Sequence, residues 1–171
     1  MEIRQVSDAD WPGVWEIFWE VVQAGDTYPY APDTDEAEAK RLWLDIPQAT
    51  YAALLDGKVV GTYYLKPNQP PLGSHVCNAG YMVAGSARGQ GVGQSMCEHS
   101  LEEARRLGFR AMQYNLVVAG NEGARRLWTR MGFDEIGVLP GAFNDASVGY
   151  VDAVVMYKEL SEAVTEGQGN E

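Results

Sequence analysis

Arg88-Gly89-Gln90-Gly91-Val92-Gly93 stands between a β-branched and aromatic stretch, His75–Ala84, and a helical one, Gly91–Leu107. Glycines at a strand-to-helix turn let the backbone approach a ligand with no Cβ in the way. Free amides at the helix start, with the positive end of the helix dipole, favour phosphate oxygens. A tight connection alone would use the same residues, so the surroundings must decide. A P-loop needs Gly-Lys-Ser/Thr, which does not occur in this chain. A dinucleotide fold places its glycine turn after the first strand and an acid at the end of the second. Here the turn follows the fourth strand, and the next strand ends in Leu116-Val117-Val118.

Working outward, Glu2–Val6 alternates as a first strand, and Ser7 is placed to cap a helix that buries Trp15, Phe18, Trp19 and Val22 and ends at Gly25. Two prolines make Asp26–Pro32 a loop. Asp33 or Thr34 can cap a second helix with Ala39, Leu42, Trp43 and Ile46 on one side. Strands Thr50–Leu55 and Lys58–Lys66 meet at Asp56-Gly57, a dipeptide suited to a tight hairpin. After the proline-rich loop Pro67–Gly73 come the strand and helix that flank the glycine turn, with Gly108 as the stop. The strand Phe109–Val118 follows, then the helix Asn121–Met131, with Ala124, Leu127, Trp128 and Met131 on one face. Strands near Phe133–Leu139 and Tyr150–Lys158 complete the order. This pattern predicts an α/β fold with a mixed central sheet of about seven strands and flanking helices. Residues 1–160 read as one domain, and Ser161–Glu171, small, polar and acidic, as a disordered tail.

Thirteen basic against 24 acidic residues give a net charge of −11 over 171 residues, which opposes nucleic-acid binding. No run approaches the roughly 20 apolar residues of a membrane span, and the N-terminus lacks a signal-peptide pattern. The expected location is cytoplasmic, with no membrane partner. Cys77 and Cys97 read as buried thiols, and His75 beside Cys77 has no second ligand pair, so no metal is expected.

Two motifs together resemble the Gcn5-related N-acetyltransferase (GNAT) family. Arg88–Gly93 is similar to its R/Q-x-x-G-x-G/A acetyl-CoA motif. Asn121–Phe133, N-E-G-A-R-R-L-W-T-R-M-G-F, is similar to its N-x-x-A-x-x-L-Y-x-x-x-G-F signature. The resemblance implies the GNAT fold and an acetyl-CoA cleft where the strands ending at Val83 and Val118 splay apart. It implies that backbone groups of Met82 and Val83 pair with the pantetheine arm. Amides of Arg88, Gly89, Gln90, Gly91, Val92 and Gly93 would hold the pyrophosphate, and Asn121 the pantetheine or acetyl end. It further implies a small-molecule amine as acceptor and is compatible with a homodimer. The chain departs from the family at Trp128, where a tyrosine usually serves as general acid. An indole N–H cannot do so near neutral pH, which leaves solvent or another phenol such as Tyr114.

A narrower resemblance, to the proline-analogue acetyltransferases, rests on His75–Tyr81, Gln113–Val118, the Leu127-Trp128 pair and Gly149–Ala153. That branch acetylates the ring nitrogen of azetidine-2-carboxylate and related cyclic imino acids. By this resemblance Asn78 and Asn115 address the substrate carboxylate. From the residues alone, an Asn inside a strand needs hydrogen-bond partners if buried, and a neighbouring loop could supply them equally well. Glu16, Glu20, Asp26, Thr27, Tyr28 and Tyr30 lie where such a fold covers its acceptor, with Thr27 and Tyr28 as substrate-binding candidates. Acetylation of another primary amine (an antibiotic, a polyamine or an amino acid), a non-catalytic acyl-CoA-binding module, and an interaction protein using Tyr28 and Tyr30 remain as other readings.

Overall fold

The computed structural model describes residues 1–160; the expected tail, Ser161–Glu171, lies outside the described residues. The chain order is β1 (Glu2–Gln5), α1 (Trp11–Ala24), α2 (Glu36–Lys40), β2 (Ala49–Leu55), β3 (Lys58–Pro67), β4 (Val76–Val83), α3 (Val92–Arg106), β5 (Ala111–Val118), α4 (Glu122–Arg130), β6 (Asp134–Asp145) and β7 (Gly149–Glu159). The strands form a seven-stranded mixed sheet in the order β1-β2-β3-β4-β5-β7-β6. This is the GNAT fold. Asp56 and Gly57 both take positive φ, 49° and 76°, so the β2–β3 hairpin turns as its dipeptide predicts. No helix among the described residues is long and apolar enough to cross a membrane.

The sheet is covered on both faces. On one, α3 and α4 bury Tyr63, Met96, Cys97, Met112, Tyr114, Trp128 and Phe133. On the other, α1 and α2 bury Val14, Phe18, Val22, Trp43, Tyr64 and Met82. Burial holds the thiols of Cys77 and Cys97 protonated, pushing them up to about 12 and about 11. Both thiols are free.

Five local expectations are corrected. The N-cap position of α1 is held by Asp10 and not Ser7; its carboxylate makes no bond to the helix amides and accepts instead from Ser7 N–H (2.8 Å) and Oγ (2.6 Å). Trp19, placed in the buried stripe of α1, is 53% exposed, because the buried face runs through Trp11, Val14, Ile17, Phe18 and Val21 instead. The cap of α2 is Asp35, which accepts from the Glu38 N–H at 2.8 Å, and not Asp33 or Thr34. The helix then widens into a π-turn over Arg41–Asp45, closed by Ile46 N–H to Arg41 O at 3.0 Å. The wider turn rotates the helix face, so Trp43 is fully buried while Ile46 is left exposed. β6 also runs further than its apolar start suggests, pairing with β7 to Asp145 in a largely exposed hairpin.

Arg4 on β1 grips Asp10 with two hydrogen bonds, 2.6 and 2.9 Å, which ties the first strand to the first helix. The guanidinium, aided by Ser7, holds the buried Asp10 carboxyl down at about 2, against an ordinary 3.8. A carboxylate depressed on folding adds stability above its unfolded pKa and loses it as pH falls through its folded pKa. Wild-type stability should therefore drop between about pH 4 and pH 2 in urea titrations. Asp10→Asn should cost about 1–3 kcal/mol at neutral pH and flatten that acid limb.

Candidate active site

β4 and β5 run parallel and pair only at Val76–Ala111, Cys77–Met112 and Asn78–Gln113. Beyond this they part, and a cleft of about 870 Å³ opens between them. Its walls bring together Thr27, Tyr28, Asn78, Met82, Val83, Arg88, Tyr114, Asn115, Asn121 and Trp128. Residues far apart in sequence and singled out on different grounds thus meet in one cavity.

At one end lies the glycine turn. Gly91, the residue preceding α3, has φ 79°, a left-handed conformation that L side chains rarely adopt, and open space where a Cβ would stand. Among the described residues the amides from Gly89 to Gln94 have no hydrogen-bond acceptor, and Ser95 N–H to Gly91 O is the first bond of the helix. Such a row of unspent donors at a helix start fits an anion such as a pyrophosphate. Asn121 caps α4 by accepting from the Ala124 N–H at 3.2 Å, which leaves its amide N–H groups for the cleft.

Along the β4 wall, the Tyr28 hydroxyl accepts from Tyr81 N–H at 2.6 Å and donates to Tyr81 C=O at 2.7 Å. Tyr81 therefore turns its backbone groups away from β3 and into the splay. Strand alternation gives Val83 the same orientation and turns the backbone of Met82 towards β3. Of the two residues expected to meet a pantetheine arm, Val83 offers backbone groups; Met82 contributes a side chain buried under α1.

Trp128 packs against the rings of Tyr81 and Tyr114, with centroids 4.9 and 5.0 Å away. Beneath it runs a hydroxyl chain. Tyr114 donates to the Tyr81 oxygen at 3.1 Å, Tyr81 and Ser100 share a bond of 2.6 Å, and Cys97 Sγ lies 3.8 Å from the Tyr114 oxygen. Burial raises the Tyr114 and Tyr81 phenols well above their ordinary value, so both stay protonated.

The far end of the cleft carries an amide cluster. Asn78 Oδ1 accepts from the Tyr64 hydroxyl at 3.1 Å, and its Nδ2 donates to Gln113 O at 3.0 Å across the last paired rung. Tyr64 reaches it because position 80 is glycine; a Cβ there would sit 2.6 Å from the ring. Asn115 is exposed rather than buried, donating to Asn68 Oδ1 at 2.7 Å and accepting from Gln113 Nε2 at 3.0 Å. Thr27 Oγ1 is the buried side-chain oxygen left without a partner among the described residues, and it lines the cleft. Glu16 and Glu20 lie elsewhere, in a surface depression with Trp15 and Trp19. Tyr64, Lys66 and Asn68 were missed in the sequence, and Gln113 entered only within the Gln113–Val118 stretch. Nothing but position on or just after a strand marked them, because the contacts depend on the register of three strands.

The profile of the Acetyltransferase (GNAT) family matches residues 11–133. A solved GCN5-related N-acetyltransferase from Kribbella flavida is 42% identical, with a TM-score of 0.87 over 92% of this chain and 96% of that one. This chain belongs to the acetyltransferase (GNAT) family. Among curated proteins, N-acetyltransferase aca1 of Schizosaccharomyces pombe is 39% identical over 98 residues, 57% of this chain and 47% of that protein. The chain spans less than half the length of the curated relatives it matches. A phosphinothricin acetyltransferase from Sinorhizobium meliloti, solved in complex with acetyl-CoA, shares the fold at 22% identity and a TM-score of 0.85, over 97% of this chain and 94% of that one.

Tyr28→Phe keeps the ring stacked on Tyr30 (5.8 Å) but strips both bonds from the Tyr81 peptide. It should lower stability by about 1–3 kcal/mol in urea unfolding and speed hydrogen exchange at the Tyr81 amide. Equal stability and exchange would show that the hydroxyl does not hold the splay.

Proposed function

We propose that the chain is an acetyl-CoA-dependent N-acetyltransferase whose acceptor is a small cyclic imino acid with a free carboxylate, such as azetidine-2-carboxylate or a proline analogue. The observation that carries the first part is the cleft itself. The β4–β5 ladder stops after Asn78–Gln113, and the amides from Gly89 to Gln94 are unspent at its mouth. Those amides would hold the pyrophosphate, Val83 the pantetheine amides, and Asn121 the acyl end. Acetyl-CoA supplies an activated acyl carbonyl with a thiol as leaving group. The acceptor nitrogen forms a C–N bond to that carbonyl carbon, the C–S bond breaks, and the nitrogen gives up its proton to water.

For the thiol side, Trp128 has no acidic proton near neutral pH. A thiol of ordinary pKa, about 8.5, is also a stronger acid than the buried Tyr114 phenol. Tyr114, whose one O–H already bonds the Tyr81 oxygen, therefore keeps its proton, and solvent protonates the departing thiolate.

The acceptor assignment is supported by the amide cluster and by Thr27. Asn78 and Asn115 each keep one N–H after the bonds to Gln113 O and Asn68 Oδ1 are counted, and Thr27 Oγ1 has its full capacity unspent. The buried Asn78 and Thr27 groups, with the exposed Asn115 beside them, favour a ligand that brings both acceptors and a donor. The nitrogen attacks only when unprotonated, so the rate should rise with pH up to the pKa of the amine.

An acceptor screen with free-thiol detection tests the reading. Azetidine-2-carboxylate and proline analogues should release CoA and gain an N-acetyl group, while azetidine and pyrrolidine should be poor acceptors. Reaction confined to primary amines, or equal reaction of amine and carboxylate, overturns the acceptor; thioester that binds without being consumed overturns the enzyme. Gly91→Leu should abolish the acetyl-CoA-dependent rise in melting temperature with the fold intact.

Because no proton leaves the indole, Trp128→Phe should retain turnover within about tenfold of wild type. Loss of the chemical step in a folded, CoA-binding Trp128→Phe protein would contradict this.

A further inference from the structure

The acceptor end of the cleft contains one cation that none of the motifs marks. Lys66 on β3 stands directly opposite Asn78 on β4, so the two side chains rise side by side from the same face of the sheet. Its ammonium lies over the ring of Tyr64, 5.2 Å from the centroid, and the hydroxyl of that ring bonds Asn78. Lys66 is half-buried. Among the described residues its Nζ pairs with no carboxylate, whereas Arg4, Arg41, Arg106, Arg125 and Arg126 all do. The other basic residue of the cleft, Arg88, belongs to the glycine turn at the opposite end.

The acids nearby do not supply the missing charge. Asp145 is committed to its own turn, accepting from Ser147 N–H, Ser147 Oγ and Val148 N–H. Asp26, in the α1–α2 loop, makes no ion pair. A half-buried ammonium without a counter-charge loses hydration and gains only the face of the Tyr64 ring in return, and burial accordingly lowers its pKa. The neighbouring amides are neutral and largely spent on one another, so they can orient an anion without balancing its charge.

We infer that Lys66 is the counter-ion for the carboxylate of the acceptor and the residue that makes this active site choose amino or imino acids over simple amines. This rests on the reading of the cleft as an acyl-transfer site. An acceptor carboxylate on Lys66, oriented by the remaining N–H of Asn78, would fix its nitrogen at a set distance from the anchor, towards the splay. A protein of net charge −11 otherwise repels a carboxylate, and one desolvated cation set against an aromatic ring offsets that field locally.

The test pairs each carboxylate with its decarboxylated counterpart: azetidine-2-carboxylate with azetidine, and alanine with ethylamine. Wild type, Lys66→Met, Lys66→Gln and Lys66→Arg are compared at saturating acetyl-CoA. Both neutral variants should raise KM for the carboxylate by about tenfold or more, with kcat changed far less. KM for acetyl-CoA and the slow rate with the matching amine should stay put, and Lys66→Arg should recover most of the affinity. If alanine is acetylated and azetidine-2-carboxylate is not, the ring preference fails while the role of Lys66 is still decided by the alanine–ethylamine pair. Equal losses on carboxylate and amine, no loss at all, or an arginine variant as poor as methionine would overturn the inference.

Discussion

A parallel strand pair that separates partway frees a backbone donor and acceptor at every second residue of each edge. Left dry, each such group costs about 1–3 kcal/mol. In this chain the separation begins after the Asn78–Gln113 rung, where the Asn78 side chain reaches across to Gln113 O and closes the ladder. The freed groups on β4 are then met one at a time. Tyr28 crosses from the α1–α2 loop to satisfy Tyr81, and Val83 is left facing the cavity. That loop is in turn held by the aromatic cluster of Phe18, Tyr28, Tyr30, Trp43 and Tyr64, with ring centroids 4.8 to 5.8 Å apart. The helices on the acceptor side thus serve to keep two strands apart.

The two ends of the cleft differ in chemistry. The glycine turn offers backbone amides, whose number and direction are fixed by the left-handed residue before α3 and carry no side-chain entropy. The other end carries side chains of β3, β4, β5 and the loop after β3, locked to one another by hydrogen bonds between Tyr64, Asn78, Gln113, Asn115 and Asn68. Trp128 stands between them, filling the space against Tyr81 and Tyr114. With an indole there, and with the Tyr114 O–H spent on Tyr81, solvent protonation is what remains for the leaving thiol.

Features set by local chemistry were legible in the sequence. Asp56-Gly57 suited a tight hairpin, and the glycine turn at Arg88–Gly93 announced a helix with open amides; that Asn121 also caps α4 emerged only in the structure. Where two local solutions compete, sequence favours neither. Ser7 and Asp10 both suit a helix start, and the Asp10 carboxylate accepts from Arg4 and Ser7 instead of from the first amides of α1. The spacing of Trp15, Phe18 and Trp19 leaves the buried face of α1 ambiguous by a residue, and packing against β3 and β4 turns Trp19 outward. Lys66 and Asn68 carried no signal at all, and Gln113 entered only as part of the Gln113–Val118 stretch. Their meaning comes from register, which sets Lys66 opposite Asn78 and brings Asn115 to a loop residue 47 positions away.

The central claim is that this splay, with its open amides, receives acetyl-CoA, and amide hydrogen exchange with and without acetyl-CoA addresses it directly. Bound ligand should slow exchange at Val83 and across Gly89–Gln94, leaving the β1–β2 edge and the outer β6–β7 hairpin unchanged. Protection elsewhere in the sheet, or unaltered exchange at those amides under saturating acetyl-CoA, would contradict the account.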